Sequence, residues 1–299
     1  MTEQVLSFGK LSTLVGIIHD PPAGTRRVDA PAILLLNAGM VHRVGPNRLY
    51  VKLARTLAAM GYVVMRFDFS GFGDSTVRED HLPLSKSIVD ETQEAMNYLA
   101  SARNVEKFVL MGLCSGATAS LKTAAVDSRV CGTVLINVRA SGEELRTYIK
   151  GRSAVRKYWT FAAQNRGRWF AAIRERMHMR GVLNIFRAIR RDVGGAIRGG
   201  KRSFPEAEET AAEVHALMKR GVRMMVLCSE WDPGLDFMKV VLGDEQLSSG
   251  ENGLLRVEIV PAADHTFTPI AKQKSMVSVI SDWMISPAAA NEPELCKVG

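Results

Sequence analysis

Two hydrophobic periods alternate along this chain of 299 residues. Short apolar runs without polar interruption mark buried strands. Apolar residues three and four apart mark helices that bury one face. Two β-patterned runs, Gln4–Phe8 and Leu11–His19, open the chain. "APAILLLNAG" reads as a buried strand closed by Gly39, and "PNRLYVKLARTLAAMG" as a helix stopped at Gly61. "YVVMRFDF" is the next strand, followed by a helix near Ser85–Ala102, the strand Lys107–Met111 and a helix near Ser115–Ala125. "VCGTVLINV" follows as a strand. Further on come a helix near Pro205–Arg220, the strand "VRMMVLCS", a short helix after Pro233, the strand "LLRVEIV" and a helix over Ile270–Met284.

Alternating strands and helices, with strands apolar throughout, predict an α/β fold: a mostly parallel sheet covered by helices on both faces. The region from Arg146 to Lys201 breaks the rhythm. It is rich in Arg, Tyr, Trp and Phe, and Phe170, Ile173 and Met177 fall at helical spacing. It reads as a helical cap inserted into the sheet domain. The expected organisation is a core over 1–138, a cap over 139–204, the rest of the core over 205–286 and a loose tail over 287–299.

Composition narrows the class. At 46% hydrophobic and 23% charged residues the chain is ordinary for a globular protein. No apolar run reaches 18 residues, so no membrane span is expected, and the first residues lack the pattern of a secretory leader. The cysteines, Cys114, Cys131, Cys228 and Cys296, form no C-x-x-C pair and suit neither a zinc site nor a disulfide framework. A reduced, cytoplasmic protein without metal or cofactor is the expectation. Charge is uneven. Ser141–Ser203 holds thirteen Arg and three Lys against four carboxylates, a net +12, while the whole chain is +8. That surplus is a solvated helical face or a surface for an acidic partner.

The chemistry-bearing stretch is "KFVLMGLCSGATASLK", Lys107–Lys122. It has the glycine spacing of a nucleophile elbow, G-x-Nuc-x-G, between a strand and a helix. With Cys114 in the nucleophile slot the flanking positions are Gly112 and Gly116. With Ser115 there they are Leu113 and Ala117, and Leu113 would crowd the turn. The spacing therefore favours Cys114. Asp232 in "SEWDPGLDF" and His265 in "PAADHTFTP" follow later strands in the order nucleophile, acid, histidine. Asp236 is the alternative acid, and Asp232 alone would serve as a helix cap. Oxyanion donors are expected from the backbone N–H of Ser115 and of Met40, with Gly39 as the second choice. "FSGFGDS" lacks the third glycine of a dinucleotide fingerprint, because position 76 is Thr76. Asp74 and Ser75 read as turn residues there.

These residues resemble the serine-aminopeptidase-like α/β-hydrolases, and within them the bacterial branch of exosortase-A-system-associated hydrolases. "NAGMVHRVGPNRLYVKLARTLAAMGYVVMRFDFSGFGDS", "GLCSGA", "SEWDPGLDF" and "ADHTF" carry the likeness over roughly residues 30–285. The resemblance implies an α/β-hydrolase fold, a cysteine nucleophile at Cys114, an acid at Asp232 and a histidine at His265. Asn37-Ala38-Gly39 stands where the family usually has His-Gly. The implied activity is acyl hydrolysis of an ester or thioester. Transfer of the acyl group to an alcohol or amine is the alternative, and a non-catalytic binding protein is the third reading. His42 and Arg43 either brace their loop or bind substrate. Tyr158 and Trp159 are expected on the underside of the cap, over an apolar pocket, with the arginines facing outward or guiding a substrate on an acyl carrier protein or coenzyme A. No nucleic-acid motif accompanies the basic segment.

Overall fold

The computed structural model describes residues 1–10, 13–164, 203–249 and 253–286, with backbone alone for 158–164 and 248–249. Eight strands form one sheet: β1 (Thr2–Phe8), β2 (Leu14–Asp20), β3 (Ala32–Leu36), β4 (Val64–Phe67), β5 (Phe108–Leu113), β6 (Val130–Ile136), β7 (Arg223–Ser229) and β8 (Leu255–Val260). Their spatial order is β1-β2-β4-β3-β5-β6-β7-β8. β1 and β2 form an antiparallel hairpin, and β2 joins β4 antiparallel. All remaining pairs, from β4–β3 to β7–β8, are parallel. The chain thus has the fold of the α/β-hydrolases.

β3 shows why the strands look uniformly apolar. All five of its residues are buried. Leu34 and Leu36 enter one core with Leu110, Leu99 and Leu217, while Ile33 and Leu35 enter a second core with Leu53, Val109 and Ile280. The period of two persists, but both faces are dry. The helices α1 (Leu49–Ala59), α2 (Leu84–Arg103), α3 (Ser115–Val126), α4 (Glu143–Gln164), α5 (Pro205–Lys219), α6 (Pro233–Ser249) and α7 (Ile270–Ile285) supply those partners. α1 and α7 cover one face; α2, α3 and α5 cover the other.

The helix after Pro233 is longer than its sequence suggests. It runs 17 residues, with non-helical backbone at Gly243 (φ 82°, ψ 161°) joining two helical pieces. α4 emerges from the loop after β6, with Glu143 and Glu144 in its first turn complementing the positive end of the helix. It packs on α6, where the Asp236 carboxylate accepts hydrogen bonds from Ser153 Oγ and the Arg156 guanidinium. The remainder of the expected cap, with Trp169 and Phe170, and the tail with Cys296 lie outside the described residues, as do the side chains of Tyr158 and Trp159.

Candidate active site

The carboxyl ends of β3, β5, β6, β7 and β8 converge on one site. β5 ends at Leu113, α3 begins at Ser115, and Cys114 between them has φ 63° and ψ −114°. A non-glycine residue in this region stores strain of about 1–3 kcal/mol and persists only where its surroundings enforce it. The enforcement is visible. A Cβ added to Gly112 would lie 2.2 Å from the backbone carbon of Gly116, and one added to Gly116 would lie 2.5 Å from the Leu36 oxygen. Strand, turn and helix approach closely enough to tolerate only hydrogen at both positions. Tyr50, fully buried, braces the turn: its hydroxyl donates to Leu36 O at 2.9 Å and accepts from Leu113 N–H at 2.8 Å.

Beyond β8, His265 Nδ1 lies 2.5 Å from Asp232 Oδ2. Asp232 is buried, and its Oδ1 accepts the Gly234 N–H at 2.7 Å, so both oxygens are held. The carboxylate beside His265, followed by the Cys114 thiol, raises the imidazole pKa to about 9 from 6.5. Partial burial opposes ionisation of Cys114, but His265 and Arg139 outweigh it, and the thiol lies below its ordinary range. Cys131 and Cys228 respond oppositely, because burial pushes both thiols up.

Ser115 does something else. Its Oγ accepts the Gly39 N–H at 2.7 Å. Among the described residues, the N–H groups of Met40 and Ser115 make no hydrogen bond. They are the two donors that the sequence ranked first. The loop carrying Met40 is held from below by Asn37, whose side-chain amide donates to Val41 O at 2.8 Å and to Asp68 Oδ1 at 3.1 Å.

His42 and Arg43 belong to that support. Arg43 is buried, and its guanidinium pairs with Asp68 and, at 2.7 Å, with Asp74. Its backbone N–H donates to Asp68 Oδ1 at 2.6 Å. His42 Nε2 lies 3.3 Å from Asp74 and 2.8 Å from the Arg43 guanidinium. Asp68 is the hub, fully buried, and the arrangement ties His42 and Arg43 into the loop rather than aiming them at Cys114. His42, Asp68 and Asp74 bring possible ligand atoms within 4.8 Å of one another, but the Arg43 cation already pairs with both carboxylates. Asp236 holds Ser153 and Arg156, and Arg156 also donates to the carbonyls of Glu230 and Asp232. It fastens α4 to the loop that carries Asp232.

Two residues at the end of β6 were missed from the sequence. Asn137, with φ 46° and no exposure, accepts the Ser229 N–H at 2.7 Å and donates to His265 O at 2.8 Å, joining the acid and histidine loops. Arg139 Nη1 donates to Cys114 Sγ at 3.8 Å. Both follow the strand-end rule that flagged Asp232 and His265. A cavity of about 790 Å³ opens beside them, lined in part by Val138, Ile149, Trp231, Ala263 and His265. Arg139, Arg146, Lys150 and Lys157 also line it. The described lining thus mixes apolar and basic side chains, and Arg139, Arg146, Lys150 and Lys157, themselves exposed, border the cavity where the first turns of α4 lie over the site.

Comparison with known proteins agrees with this geometry at the level of fold and superfamily. The model of the serine aminopeptidase S33 family matches residues 29–170, which include the loop at Met40 and the elbow. No curated protein matches the chain in sequence. Among solved structures, the chain is similar to a proline iminopeptidase from Mycobacterium smegmatis, at 17% identity and a TM-score of 0.53 over 95% of this chain and 97% of that one. It is similar to VinJ, at 18% identity and a TM-score of 0.55 over 95% and 98%. A third similar structure is DcsB in complex with its substrate analogue, at 14% identity and a TM-score of 0.57 over 97% and 100%. At such identities the likeness establishes the α/β-hydrolase fold, which hosts many chemistries.

Proposed function

We propose that the protein is an acyl hydrolase that cleaves an ester or thioester through a covalent intermediate on Cys114, with His265 as base and Asp232 as its orienting acid. The observation that carries the reading is the opposed behaviour of the described thiols. Cys114 alone combines the strained elbow, a neighbouring imidazole paired to a buried carboxylate, and a lowered pKa.

In this reading the Cys114 thiol gives its proton to His265, and the thiolate attacks the acyl carbon, forming an S–C bond. The carbonyl oxygen becomes an oxyanion facing the N–H groups of Met40 and Ser115. The tetrahedral species collapses, the bond to the leaving alcohol or thiol breaks, and the imidazolium protonates that group. His265 then takes a proton from water, whose oxygen attacks the thioester. Collapse releases the carboxylic acid and returns the proton to sulfur. Asp232 stabilises the imidazolium throughout. The nucleophile requires a reduced thiol, consistent with the free Cys114, Cys131 and Cys228 and with a cytoplasmic setting. The acyl donor is a small molecule, or an acyl group carried on coenzyme A or an acyl carrier protein. No helix among the described residues is long and apolar enough to cross a membrane.

Product analysis tests this reading. Short-chain thioesters and esters are incubated with the protein in water, then with added alcohol or amine. Release of free acid that is lost in Cys114→Ala supports hydrolysis. A product formed only with the acceptor reassigns the protein to acyl transfer, and no turnover of any donor overturns both.

A further inference from the structure

We propose that the cavity beside Cys114 selects substrates carrying an anionic group, a carboxylate or phosphate, through Arg139, Arg146 and Lys150, with Lys157 at its far end. What the anion is attached to rests on the acyl-hydrolase reading; the anion site itself does not.

The pairing pattern of α4 carries the inference. Where α4 faces α6, its cation is neutralised: Arg156 pairs with the buried Asp236 at 3.0 Å. Where α4 faces the cavity, Arg146, Lys150 and Lys157 have no carboxylate within salt-bridge distance among the described residues, and neither does Arg139. Among the described residues two carboxylates line the cavity, and both are occupied. Asp232 holds His265 and the Gly234 N–H, and Asp264 accepts the Thr268 N–H at 2.7 Å. Arg146 is positioned, since its Nε donates to Ala140 O at 2.9 Å.

Spacing places the helix cations together. Positions 146, 150 and 157 recur at four and seven residues, so they share one face of the helix with Ile149, which also lines the cavity. At 1.5 Å per residue they extend about 16 Å along the helix. Four exposed cations bordering one cleft add their positive potentials and raise the local concentration of an anionic substrate there. Guanidinium groups match carboxylate and phosphate oxygens in pairs. Arg139, 3.8 Å from the sulfur, reaches a charge a few bonds from the scissile carbonyl. The α4 residues reach one farther along the acyl chain or on the leaving group.

Matched substrates separate these sources. In one arm, succinyl and succinamyl thioesters of the same thiol differ only in a terminal carboxylate replaced by a neutral carboxamide. In the other, acetyl thioesters of phosphopantetheine and pantetheine differ only in a leaving-group phosphate. The expected preference in kcat/KM for the charged member of at least one pair is roughly ten- to hundred-fold, the worth of a charged hydrogen bond. It should fall to about three-fold or less in Arg139→Gln or Lys150→Gln. The ratio cancels any effect of Arg139 on the nucleophile. A ratio near one in both arms, with Cys114 still turning over the neutral members, overturns the inference and leaves the hydrolase reading standing. Calorimetric titration with succinate and inorganic phosphate reads the site without turnover. Binding weakened about ten-fold by Lys150→Gln supports the inference, and no binding of either anion overturns it.

Discussion

Replacing Gly112 by alanine tests whether the elbow is held by close approach of backbone. The added methyl carbon would lie 2.2 Å from the Gly116 carbonyl carbon, whereas ordinary contact begins at 3.4 Å. The strand end and the helix start must separate by roughly 1.2 Å, and neither neighbour is a flexible side chain. Overpacking against movable side chains costs about 1–3 kcal/mol, so the backbone clash should cost about 3 kcal/mol or more. A displacement near 1 Å at the nucleophile should lower turnover by about 100-fold. Gly221→Ala is the contrasting variant. Its φ is +78° with nothing within 4 Å, so only left-handed strain of about 1–2 kcal/mol is expected. Urea unfolding gives the stabilities, and the rate of Cys114 alkylation by iodoacetamide reports the turn. A Gly112→Ala protein within about 0.5 kcal/mol of wild type and alkylated at the wild-type rate would refute the reasoning.

The His265–Asp232 pair predicts a pH signature. Its folded pKa of about 9 lies above the unfolded 6.5, so the stabilisation is complete below pH 6.5 and disappears as pH rises to about 9. The stability gap between wild type and Asp232→Asn, measured by urea unfolding, should be wide at pH 6 and narrow above pH 9, and a gap that widens with pH contradicts the assignment. Asp236→Asn should weaken the α4 anchor, costing roughly 1–3 kcal/mol, yet leave acyl transfer to Cys114 measurable; loss of acylation in a folded Asp236→Asn protein would move the acid there. Asn137→Ala should also cost about 1–3 kcal/mol, and the titration of His265 followed by NMR should drift toward 6.5 as its loop loosens. An unchanged titration would leave Asn137 a purely structural residue.

Much of this architecture is legible in the sequence because local physics decides it. Buried parallel strands announce themselves as uninterrupted apolar runs, and the Gly112–Gly116 spacing reports a turn that excludes side chains. Asp232 and His265 were readable because strand ends in a parallel sheet converge. Other parts depend on partners distant in sequence. Asn137 acts on Ser229 and His265, 92 and 128 residues away, and nothing near it signals that bridge. The direction taken by His42 and Arg43 is set by Asp68, a buried carboxylate at the end of a different strand. That Arg146, Lys150 and Lys157 border the cavity depends on where α4 docks, and Asp236 fixes that from α6 by holding Ser153 and Arg156. The extension of α6 past Gly243 is likewise a tertiary outcome, since glycine usually ends a helix.

Peptide-level mass spectrometry of the protein quenched in acid during turnover of an activated acyl thioester tests the central claim most directly. The account predicts one acyl group on the peptide containing Cys114, absent from Cys114→Ala and retained in Ser115→Ala. An acyl group on Ser115 that persists in Cys114→Ala would contradict it.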